Sequence, residues 1–110
     1  SSLPQGFYTV STEALFTELL EDAPALVDVR EANEFEAGHI EGAINIPMRS
    51  FDTYADLVPA QDADIVVVGS IGHRSAVVMM GMQLLDFENV RALGGGINAW
   101  SQGGYELVTE

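Results

Sequence analysis

Apolar positions follow two rhythms that take turns along the chain: short runs of branched aliphatics, and longer stretches repeating every three or four residues. Phe7 to Val10 predicts a short strand. Ser11 stands where a helix through about Leu20 needs its N-cap, with Glu13 in the first turn and Leu15, Phe16, Leu19 and Leu20 at helical spacing. Ala25 to Val29 reads as a second strand, Glu31 to Ala37 as a short helix that Gly38 ends, and Ala43 to Ile46 as a strand stopped by Pro47. A helix from Ser50 to Leu57, closed by Pro59, is expected next.

Ile65-Val66-Val67-Val68 is almost wholly β-branched and bounded by Asp64 and Gly69, as a central parallel strand requires. The helix from Ser75 to about Leu85 carries Val77, Val78, Met79, Met80, Met82, Leu84 and Leu85, apolar nearly all round. That pattern predicts burial between a sheet and other elements, with the methionines filling core gaps rather than binding a metal. Val90 to Leu93 gives the last strand. Gly94-Gly95-Gly96 then makes a turn that brings backbone close to a neighbour, before a short helix from Ile97 to Gln102 that holds Trp100.

Strands alternating with helices on short connections imply an α/β fold, with a mostly parallel sheet covered on both faces and ligands at the carboxyl ends of its strands. The 110 residues fit one domain, 1–110, without repeats, linkers or low-complexity tracts. At the carboxyl end of the Ile65–Val68 strand lies Gly69-Ser70-Ile71-Gly72-His73-Arg74, followed by Ser75. A strand, a glycine-bearing turn and a helix N-terminus together offer backbone N–H groups to an anion.

Four ordered blocks resemble the rhodanese-like domains. They are Leu26 to Glu31 followed by Glu34-Phe35 and Gly38 to Pro47, the loop ending Gly72-His73-Arg74-Ser75-Ala76, Phe87 to Val90, and Leu93 to Trp100. The resemblance covers nearly the whole chain and implies a central five-stranded sheet with helices on both faces. In active members a cysteine opens the loop, takes a sulfane sulfur from a donor such as thiosulfate, and passes it on from a persulfide. Here that position is Gly69, and the chain contains no cysteine. Neither glycine nor a serine hydroxyl replaces an ionised, polarizable thiolate, so the persulfide route is closed. Ser70 and Ile71 also depart from the family's usual arginine and small polar residue, which favours a naturally degenerate loop over a designed knockout. The related phosphatases need a longer loop as well as the cysteine, so kinship with them fails on both counts.

The formal net charge is −13, from seventeen acidic side chains against four arginines, which opposes binding to nucleic acid or anionic membranes. No apolar stretch approaches about 18 residues, so membrane insertion of this segment is not expected. A chain opening Ser1-Ser2 without an initiator methionine is expected to have been trimmed from something longer. Cytoplasm is the default compartment, with an extracytoplasmic address open if an upstream signal was removed.

The resemblance makes Asp28, Arg30, His39 and Gly42 a structural motif, with Arg30 held by acidic neighbours such as Glu31 or Glu34 and His39 packed and hydrogen-bonded. It gives Arg74 the task of holding the curved loop, tied to the acidic region of Asp28, and leaves His73 facing solvent. Two histidines without a clustered carboxylate make no zinc site, and no metal or cofactor is expected. Ser70 with His73 lacks an orienting third group and is not expected to hydrolyse anything. The leading expectation is a catalytically inactive binding or regulatory module whose loop, Gly69 to Ser75, holds a small anion or a partner's side chain. The alternatives are a sulfurtransferase whose cysteine at position 69 was replaced, and a purely architectural domain of a larger protein.

Overall fold

The structure, a computed structural model, describes residues 9–50 and 55–109. Its strands are β1 (Thr9–Val10), β2 (Ala25–Asp28), β3 (Ile44–Asn45), β4 (Asp64–Val68) and β5 (Asn89–Leu93). They form one sheet in the order β1-β5-β4-β2-β3, every neighbouring pair parallel. The helices are α1 (Thr12–Glu21), α2 (Ala32–Ala37), α3 (His73–Leu84) and α4 (Gly96–Gln102).

The aliphatic run of β4 is explained by burial on both faces. Ile65 and Val67 point to a core shared with Val27, Ile46, Val90 and, from α3, Val78, Met79 and Met82. Val66 and Val68 point the other way, to Leu15 of α1 and Ile97 and Trp100 of α4. Each fully buried aliphatic there contributes roughly 1.5–3 kcal/mol.

Helix starts follow local chemistry. The Ser11 hydroxyl accepts a hydrogen bond from the Ala14 N–H at 3.0 Å, the N-cap the sequence calls for. At α2 the Glu31 N–H donates to Glu34 Oε1 at 2.9 Å, closing the first turn from inside.

Some sequence expectations need adjustment. Phe7 and Tyr8 lie outside the described residues, as do residues 51–54 of the expected Ser50–Leu57 helix; the ends of that segment belong to two separate 3-10 turns, Met48–Ser50 and Ala55–Leu57. Helix α3 begins at His73 rather than Ser75, because Gly72 turns at φ +97° and serves as its N-cap. The expected all-round burial of α3 is also wrong. Only its sheet-facing side is covered, while Val77, Met80 and Leu84 are exposed among the described residues.

Candidate functional site

The strand order places β4 at the centre of the sheet, and its carboxyl end delivers the chain directly into the loop 69–75. Gly69 is buried, Ser70 half-buried, Ile71 61 % exposed, and Ser75 fully buried. His73 opens α3, and its side chain lies outside the described residues.

The loop's curvature is fixed by carbonyls pointing outward from the turn. Gly69 O accepts from the Ile97 N–H at 2.8 Å and Ser70 O from the Asn98 N–H at 2.9 Å, so the loop rests on the first turn of α4. Gly96 makes this approach possible, since at φ +61° a Cβ there would stand 2.4 Å from Gly69 O. The glycine turn thus does bring backbone against a neighbour, and that neighbour is the loop itself. At the other end the Ser75 hydroxyl donates to Gly72 O at 3.1 Å.

With the carbonyls committed to α4, the amides are left over. Among the described residues the backbone N–H groups of Ser70, Ile71, Gly72, Arg74 and Ser75 have no protein acceptor. Gly69 has no left-handed backbone to require a glycine; a Cβ built there would lie 3.3 Å from the Ser75 nitrogen. The loop thus presents backbone amides without a protein acceptor, and position 69 carries no side chain.

Arg74 stands beside this loop, half-buried. Its Nη2 donates to Ser70 Oγ at 3.0 Å and pairs with Glu34 at 3.3 Å, bracing the loop against α2. Its tie to the acidic neighbourhood of Asp28 runs through Glu34 rather than through Asp28 itself. Glu34 is held below the usual carboxylate range, first by the hydrogen bond from the Glu31 N–H and then by Arg74, against the opposing effect of burial. The partnership of Glu34 and Arg74 has no local signal in the sequence, for the two lie far apart along it.

Asp28 and Arg30 form their own buried pair, Arg30 Nη2 to Asp28 Oδ2 at 2.9 Å. Arg30 Nη2 also donates to Gly38 O at 2.7 Å, so its hydrogen bonds go to Asp28 and a carbonyl rather than to Glu31 or Glu34, while its charge still helps to hold Glu34 ionised. Strand β2 ends at Asp28, and Arg30 in the bend just beyond folds its guanidinium back onto that carboxylate. His39 is buried with its ring stacked on Phe35 at 3.7 Å and Nδ1 2.8 Å from Phe35 O, and Gly42 lies in the exposed turn beyond.

All four arginines are engaged by acids: Arg30 by Asp28, Arg49 by Glu31, Arg74 by Glu34, and Arg91 by Glu18 and Asp64. The Arg91 cluster was not foreseen. It lines a cleft of about 640 Å3 with Asp22 and Glu88, at the amino-terminal ends of β4 and β5 and away from the loop. Among the described residues no group of three or more His, Asp or Glu side chains is placed to hold a metal, and no helix is long and apolar enough to cross a membrane.

Comparison with known proteins points one way. The profile of the family described as Rhodanese-like domain matches residues 12–103. The rhodanese-like/PpiC domain-containing protein 12 of Arabidopsis thaliana chloroplasts is 35% identical over 83 residues, covering 73% of this chain and 28% of that protein. An uncharacterized Synechocystis protein is 30% identical over 108 residues, covering 98% of this chain and 60% of its own length. The chain therefore spans less than two thirds of either relative. The crystal structure of a rhodanese-related protein from Thermoplasma volcanium superposes with a TM-score of 0.83 at 28% identity, covering 93% of this chain and 98% of that one.

Proposed function

The chain belongs to the rhodanese-like domain family, and from that premise we propose that it acts as a non-catalytic binding or regulatory module, its loop 69–75 accepting a small anion or the acidic side chain of a partner. The observation that carries this reading is the pairing of free amides with an absent nucleophile. Ser70, Ile71, Gly72, Arg74 and Ser75 present N–H groups that nothing in the described protein accepts from, while position 69 offers no atom to be sulfurated.

Affinity follows from opposing effects. Convergent amides and the amino end of α3 attract negative charge. Arg74 is already neutralised by Glu34, and the net charge of −13 repels anions at long range. Millimolar binding, about 4 kcal/mol at the standard state, is the expected balance. Titrating sulfate while following the amide resonances of residues 69–75 tests it: saturable shifts confined to these residues support the reading, and unmoved amides at high millimolar sulfate remove it.

A second reading has one observation in its favour. Gly69 has an ordinary backbone conformation and a Cβ there would lie 3.3 Å from the Ser75 nitrogen, so a side chain, such as the cysteine of a sulfurtransferase, fits once that neighbour gives by a few tenths of an ångström. The natural coding sequence at codon 69 decides between the two.

A further inference from the structure

Arg74 is the most loosely held of the four arginines. Its nearest carboxylate oxygens, Glu34 Oε1 and Oε2, lie 3.3 and 3.5 Å away, whereas Arg30, Arg49 and Arg91 have their nearest at 2.9, 3.0 and 2.7 Å. Arg30 and Arg91 each grip a carboxylate with two nitrogens. Arg74 offers Nη2 alone, and shares it between Glu34 and Ser70 Oγ. Among the described residues its Nε and Nη1 donate to nothing, so a guanidinium with five N–H donors uses few of them.

Its place makes the loose hold consequential. Ser70, which accepts from Arg74 at 3.0 Å, is also the residue that presents the first of the loop's unaccepted N–H groups. Having accepted from Arg74, the Ser70 hydroxyl keeps its own hydrogen, which no described residue accepts. The guanidinium therefore stands one hydroxyl away from any anion that the Ser70 N–H holds. Glu34 reaches the same guanidinium from α2, its carboxylate partly exposed and steadied by the Glu31 N–H at 2.9 Å.

We infer that Glu34 is the loop's own competing anion: by pairing with Arg74 it withholds that charge from a ligand and keeps the loop in a low-affinity state. The inference rests on the reading of residues 69–75 as an anion site and adds the residue that sets its affinity. Glu34 acts through Arg74 and needs no contact with the ligand. Both side chains are partly exposed, 31 and 38 %, and a long pair of this kind opens at little cost. A guanidinium turned to an oxyanion, by contrast, makes a charge-assisted hydrogen bond with donors that are already free.

Removing any carboxylate from a chain of formal charge −13 favours anions at long range, so the specific effect is measured against a carboxylate without an arginine. Glu36 supplies it, on the same helix, exposed, and paired with none of the four arginines. Glutamine at position 34 keeps an oxygen that can accept the Glu31 N–H, which preserves the first turn of α2.

Sulfate titrations at constant ionic strength, followed through the amide resonances of residues 69–75, test it. Glu34→Gln is expected to tighten sulfate binding about tenfold, as one hydrogen bond to a charged donor would. Glu36→Gln is expected to change it by less than about twofold at moderate salt. In an Arg74→Gln background, Glu34→Gln is expected to lose its effect to within about twofold, since the two residues act as one unit. Saturable binding by the unaltered chain that Glu34→Gln fails to tighten overturns this inference and leaves the anion site standing. Equal tightening by Glu36→Gln, or a Glu34→Gln effect that survives without Arg74, overturns it as well. Unmoved amides in every variant remove the site and the inference together.

Discussion

Replacing Gly96 with alanine attacks the support of the loop at a single atom. A Cβ at this position would stand 2.4 Å from the Gly69 carbonyl oxygen and 2.7 Å from Ser70 C and O, all backbone atoms with no flexible end to swing aside. The residue's φ of +61° adds the cost of a left-handed conformation for an L side chain, about 1–2 kcal/mol. Relief of the clash requires α4 and the loop to separate, which weakens the hydrogen bonds from Ile97 and Asn98 at 2.8 and 2.9 Å, each with a net contribution of about 1 kcal/mol. The expected loss is about 3 kcal/mol, out of a stability on the order of 5–15 kcal/mol, so the variant still folds. Urea unfolding followed by circular dichroism is the assay; the midpoint should fall while the slope stays constant. In the folded variant the amide resonances of residues 69–75 should move. A loss below about 0.5 kcal/mol would refute the claim that the loop is seated on α4.

Gly81→Ala, the same chemical change in open space at mid-helix, should instead stabilise the chain by about 0.8–1 kcal/mol in thermal or urea unfolding, and a loss would show unseen packing at that site. Asp28→Ala should cost roughly 3–5 kcal/mol, because it strands the buried Arg30 guanidinium, whereas replacing Asp28 and Arg30 together with apolar residues should cost less; equal losses in urea unfolding would contradict this. Glu18 is held below its usual value of 4.5 chiefly by its paired hydrogen bonds to Arg91, so the ionised pair stabilises the fold above the unfolded-state pKa and that stability is lost as pH falls through the folded-state value. Glu18→Gln should accordingly be less stable at neutral pH yet lose less between about pH 5 and pH 3, and equal acid slopes would count against the pairing.

The sheet, its helices on both faces and the loop at the end of β4 were legible because each rests on a local rule. Four buried β-branched residues in β4, the Ser11 cap and the glycines around the loop report their own conformation directly. What the sequence hid depends on relations between distant residues. Arg74 finds Glu34 across α2 and Arg91 finds Glu18 on α1, pairings no periodicity encodes. Arg30 folds back onto Asp28 at the end of β2 because the fold buries both side by side. The apolar circumference of α3 reads as all-round burial, since hydrophobicity reports that a face favours cover and not whether the fold supplies it.

A rhodanese-like domain stands here around a position 69 that carries no side chain. Turnover of thiosulfate and cyanide to thiocyanate by the unaltered chain, measured beside Gly69→Cys, tests that most directly. The unaltered chain should give none above the protein-free rate, while the variant should show a thiol pKa below the ordinary value of about 8.5, imposed by the amides at the start of α3. Protein-dependent thiocyanate from the chain as it stands, with no cysteine in it, would contradict the account.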